Sequence, residues 1–173
     1  MLFRDVQQFV ARAETRICTS SLFHAFEDGT ASKEVLTGYV LEYFHVVHAS
    51  PAILGQALAH GGAPQTYRIM RDYFLSECRH DELLLRSLET VGINPIADSI
   101  VPLPSTFASI SALSMLARQD LLSFKSVLFI FERPQPEFHE AFVRRCIAIG
   151  LPDLPPAFVH VRIRQLIAAP SPV

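Results

Sequence analysis

Apolar residues recur at intervals of three and four along most of this chain, the period of helices that bury one face. Phe3, Val6, Phe9, Val10 and Ala13 share such a face while Arg12, Glu14 and Arg16 point away, which predicts a first helix from Phe3 to about Phe26. Asp28-Gly29-Thr30 stops it. Ser32 is a candidate N-cap for a second helix through Tyr39, Glu42, His45 and His48. Ser50-Pro51 should kink or break that helix, because proline lacks a backbone donor and clashes with the preceding turn. Ile53 to Ala59 continues the pattern before His60-Gly61-Gly62-Ala63-Pro64 turns the chain.

A third helix is expected to run unbroken from Pro64, through Tyr67, Met70, Phe74, Leu84 and Leu88, to Gly92 with Pro95 beyond. After a proline-bearing loop from Asn94 to Pro104, the spacing predicts helices over Ser105 to Ala117 and Leu121 to Glu132. Arg133-Pro134-Gln135-Pro136 breaks the chain, and Glu137 to Ile149 is amphipathic and ended by Gly150. In Ala157 to Ala168, Val159, Val161 and Ile163 alternate with His160, Arg162 and Arg164, a strand period. No partner strand exists elsewhere, so this piece is read as a short helix. The expectation is one all-α domain, a helical bundle over residues 1–173.

Half of the 173 residues are hydrophobic, enough for a sizeable core. A net charge of −2 gives no reason to expect nucleic acid or an anionic membrane as partner. Cys18, Cys78 and Cys146 are odd in number and widely spaced, which points to a reducing compartment without a disulfide framework. Arg4, Asp5 and Gln7 interrupt any leader. The most apolar tract, Leu121 to Phe131, contains Lys125 and is shorter than the roughly 20 residues a membrane span needs. These features predict a soluble, cytoplasmic chain.

Chemistry concentrates in Tyr73-Phe74-Leu75-Ser76-Glu77-Cys78-Arg79-His80. Three positions apart on a helix, Glu77 and His80 are neighbours on one face, and a carboxylate with an imidazole so placed is half of a helical-bundle iron or manganese site. Tyr73 and Leu84 lie on the same stripe. The plainer reading is a salt-bridged surface beside Arg79, Asp81 and Glu82. A second pair, Glu42 and His45, precedes it, but helical rotation prevents Glu42, His45 and His48 from all facing one metal. Glu42 is the inward candidate of the three. Glu132 ends the most apolar helix and is either paired or metal-bound if buried, or a solvated helix end. Cys78 has no base placed beside it and reads as inert. Tyr39, Tyr43 and Tyr73 are pocket-lining or core aromatics. No G-x-S-x-G, P-loop or dinucleotide glycine fingerprint is present.

The run from Tyr43 to Pro51, then YFLSECRHDELLLRSLETVG over Tyr73 to Gly92, then Pro102-Leu103-Pro104-Ser105-Thr106 and a helix ending in Glu132, resembles the haem-oxygenase-like iron-containing oxidases. That group is related to TenA thiaminases and PqqC, and it includes UndA-like and chlamydial para-aminobenzoate synthase-like enzymes. The resemblance covers roughly residues 35 to 160. It implies a haem-oxygenase-like bundle, iron as cofactor, and dioxygen with a small organic molecule as substrates. The ligands it implies are Glu42, Glu77, His80, Glu132 and His160. The family's last helix carries His-x-x-x-Asp-x-x-His, whereas here Arg164 and Ile167 follow His160 at those positions and the chain ends at Val173. This departure implies a site that holds one iron rather than two, or none, and the face it leaves uncovered predicts a homodimer.

Two rivals follow. One is a cofactor-free or degenerate member of the same class with a binding or structural role. The other is a ferritin-like carboxylate bundle, disfavoured because its Glu-x-x-His helices are separated by a glutamate-only helix.

Overall fold

Ser32 opens the helix on which the rest is built: its hydroxyl accepts from the Val35 N–H at 3.4 Å, as its position before a periodic run predicts. The computed structural model describes residues 8, 11–13, 15–60, 63–131 and 135–156. The segment 157–173, with His160, Arg164 and Ile167, lies outside the described residues, as do Glu132 and most of 1–14. Within them the chain is all-helical: α1 (Ser21–Glu27), α2 (Lys33–Ala59), α3 (Pro64–Glu77), α4 (His80–Glu89), α5 (Pro104–Gln119), α6 (Leu121–Phe131) and α7 (Pro136–Ala148).

At 27 residues α2 is about 40 Å long. It packs against α3, α4, α5 and α7, while α1 lies on α7 and α6 on α5. Its first half joins one apolar cluster, in which Leu36, Val40 and Phe44 meet Leu84 and Leu88 of α4 and Phe142 of α7. Its second half joins another, in which Ile53, Leu54 and Ala57 meet Met70, Leu113 and Phe124. The helix pair is therefore antiparallel, with Met70 beside the end of α2 and Leu88 beside its start. A cross-link from His48 Nδ1 to Asp81 Oδ2 at 2.9 Å marks the register.

Two expectations about helix continuity are reversed. Pro51 does not break α2. Proline inside a helix costs about 3 kcal/mol, but each fully buried aliphatic or aromatic side chain contributes about 1.5–3 kcal/mol. Val47, Ile53 and Leu54 are buried on either side of Pro51, so packing outweighs the lost bond. Conversely, the helix expected from Pro64 to Gly92 is interrupted at Cys78 and Arg79. Arg79 takes a left-handed conformation, φ 75°. The break has a chemical logic: Asp81 and Glu82 fall in the first turn of a new helix, where carboxylates complement the positive end of its dipole. The Arg79 guanidinium grips the Glu82 carboxylate with two bonds, at 3.0 and 2.9 Å. The first helix is also interrupted, at Thr19 and Ser20, where the Ser20 hydroxyl accepts from Phe23 N–H at 3.1 Å.

The remaining boundaries follow the sequence closely. Gly29, Gly92 and Gly150 all have positive φ at helix ends. The 94–103 loop is tied by Asn94, whose side chain accepts from Ala97 N–H at 3.0 Å. Phe26, Tyr39, Phe138 and Phe142 form a ring cluster joining α1, α2 and α7. The three cysteines are free, and no helix among the described residues is long and apolar enough to cross a membrane.

The break yields a test. Left-handed backbone is costly for any residue with a Cβ, so Arg79→Gly should melt at a higher temperature than Arg79→Ala. Within a continuous helix the order is the opposite, because glycine is the poorer helix former. Paired thermal denaturation of the two variants separates these cases.

Candidate functional site

Interrupting the helix does not separate Glu77 from His80. Glu77 closes α3, His80 opens α4, and both line a cavity of about 110 Å³ bordered by α2, α3, the start of α4, α5 and α6. Tyr73 joins them from α3, and α2 supplies Tyr43, Val47 and Ser50. Leu113, Phe124 and Leu128 make much of the apolar remainder. The stripe Tyr73, Glu77, His80 read from the sequence thus faces one space, while Leu84, at the next step, is in the core.

Glu77 and His80 also bond to each other, with His80 Nδ1 3.0 Å from Glu77 Oε2. An ionised carboxylate can only accept, so Nδ1 is the donor in this bond. The side chains are 13 % and 26 % exposed, respectively. Partial burial keeps bulk water from competing and strengthens the interaction relative to a surface pair. A dyad of this kind has two uses: a basic nitrogen oriented by a carboxylate, or two donors for a cation.

The other sequence candidates separate. Glu42 does not line the cavity. Both its carboxylate oxygens accept from the Leu103 N–H, at 3.3 and 3.1 Å, so it sits at the N-terminus of α5, where a negative charge is favoured. His45 Nε2 is buried with no hydrogen-bond partner among the described residues. His48 turns to Asp81. Glu42, His45 and His48 therefore point to three different surroundings, as helical rotation requires. Glu132 and His160 lie outside the described residues. Tyr43 and Tyr73 are at the cavity, but Tyr39 stacks between Tyr43 and the ring cluster, and its burial raises the phenol's pKa. Cys146 is likewise a core thiol, pushed up by burial to about 12.

Iron, implied by the resemblance, can be tested against these donors. Carboxylate and imidazole suit ferrous iron or manganese by donor type, and a cation bound by both would take the place of the proton in their 3.0 Å hydrogen bond. Glu77 and His80 therefore fit as half of a site. Among the described residues no group of three or more histidine, cysteine, aspartate or glutamate side chains is placed to hold a metal. The other two ligands that the resemblance implies, Glu132 and His160, lie outside the described residues.

Compared with protein-family models, curated proteins and solved structures, the chain matches none of them.

Sequence reasoning missed Ser50. It was read only as the residue before a helix-breaking proline, yet it borders the cavity, and its hydroxyl oxygen is buried without a partner among the described residues.

Two stability predictions follow. Desolvation, opposed by Glu42 and reinforced by His48, lowers the His45 pKa from its usual 6.5. The unfolded chain then binds this proton first as pH falls, so stability should drop below pH about 6.5. It should level off once the folded form is protonated, and His45→Gln should flatten the profile in urea titrations. Glu42→Ala removes a helix-terminal acceptor and should cost about 1 kcal/mol in the same assay.

Proposed function

We propose that this chain is a non-haem iron oxidase or oxygenase acting with dioxygen on a small organic substrate held in the cavity. The observation that supports this is the arrival of Glu77 and His80, the most specific residues of the family resemblance, at the wall of a largely apolar cavity. Glu77 and His80 would hold the iron together with Glu132 and His160. Bound iron supplies the means to activate dioxygen. The chain's own residues do the rest: the apolar walls exclude water, the Glu77 carboxylate orients the imidazole, and Tyr43 and Tyr73 border the substrate space. A homodimer belongs to the same proposal and is checked by light scattering.

A second reading, a metal-free binding protein built on the same helices, is favoured by a specific observation. Glu42 is engaged by the Leu103 N–H rather than by the dyad, and the described residues stop at two adjacent donors.

Purification without oxygen, followed by reconstitution with ferrous iron and metal analysis, separates the readings. The oxidase reading expects about one iron per chain, lost in Glu77→Ala and His80→Ala and retained in Glu42→Ala. No iron in any variant overturns it and leaves the binding protein. A stoichiometry near two would contradict the one-iron reading of the last helix.

A further inference from the structure

Apart from Ser50, Glu77 and His80, every described residue that lines the cavity is aliphatic or aromatic. The three polar ones leave little for a charged ligand to bind. Glu77 Oε2 and His80 Nδ1 hold each other at 3.0 Å. The Ser50 hydroxyl oxygen is itself buried, so it is not presented to the space. No lysine or arginine is among the described lining residues. A ligand carboxylate would therefore face Glu77 with no fixed cation beside it, and a ligand ammonium would have to take Glu77 from His80. Either would also lose its hydration among apolar walls, a cost that nothing on those walls offsets. An uncharged ligand meets neither obstacle.

Size and shape narrow the class further. A cavity of roughly 150 Å³ lined by leucine, isoleucine and phenylalanine stays dry and takes up benzene or xenon. At about 110 Å³ this one is of the same order, with room for one small ring and not for two. Tyr43, Tyr73, Phe124 and Phe131 are among its walls, and ring–ring contact adds to what burial alone contributes. Phe131 is also 61 % exposed, so the rim of the cavity reaches the surface there.

We propose that the cavity takes an uncharged molecule built on a single aromatic ring, held by contact with the aromatic and aliphatic walls while the bond between Glu77 and His80 stays intact. The inference rests on the reading of the cavity as the substrate space, names the class of organic molecule it admits, and requires no metal.

Calorimetric titration of the iron-free, full-length protein with toluene, against benzoate and benzylamine, tests it. The three share a ring and differ in charge. Toluene should bind at one molecule per chain, and each charged analogue more weakly by about tenfold or more. Val46 lines the cavity, so Val46→Phe should fill the space and abolish toluene binding. Leu128→Ala should enlarge it and admit naphthalene, which the native chain excludes. Toluene should also raise the melting temperature of the native chain and leave that of Val46→Phe unmoved. Benzoate or benzylamine binding as tightly as toluene, unchanged toluene affinity in Val46→Phe, or no toluene binding overturns the proposal. Toluene binding in a protein that takes up no iron removes the oxidase reading and leaves this one standing. Iron uptake dependent on Glu77 and His80, without toluene binding, does the reverse.

Discussion

Burial of α2 is the constraint from which the rest follows. A single helix of 27 residues passes through both apolar clusters, and four other helices take their positions from its surface. Because isolated helices owe little stability to propensity alone, this one is held by its neighbours. That explains how it tolerates Pro51: the residues that pin it, Phe44 and Val47 before the proline and Ile53 and Leu54 after it, are buried in different clusters. The seam between those clusters is where packing is least continuous. The cavity lies there.

The same seam explains why Glu77 and His80 stay together across a broken helix. Both α3 and α4 must lie against α2, yet Met70 faces the second cluster and Leu84 and Leu88 the first. Breaking at Arg79 lets each half choose its own angle. The dyad straddles the joint, and its 3.0 Å bond spans the change of direction. Its geometry is thus set by tertiary packing on both sides and not by the regular spacing of one helix.

This accounts for what was legible in the sequence. Helix identity was, because periodicity, Ser32 and the glycine stops each act locally. The stripe of Tyr73, Glu77 and His80 was too, though for a reason that held only in part, since a helix break keeps i and i+3 close. The signal for that break was present in Asp81 and Glu82, acidic residues suited to a first turn, but an apolar period running across it concealed it. Pro51 misled in the other direction: its local cost is real, and only burial far along the chain outweighs it. Glu42 was read as the inward residue of its helix, but a loop N–H some sixty residues away, from Leu103, takes its carboxylate. No local pattern could report such a partner.

Ser50 was invisible for a related reason. A proline in a helix costs about 3 kcal/mol. A buried hydroxyl without a partner costs about 1–3 kcal/mol. The two costs fall on adjacent residues, Ser50 and Pro51. Set against a typical total stability of about 5–15 kcal/mol, such a concentration is expensive, and simple changes would relieve it: alanine at 50 or a non-proline at 51. Folding alone gives no reason to leave Ser50 unpaired beside a proline inside the helix.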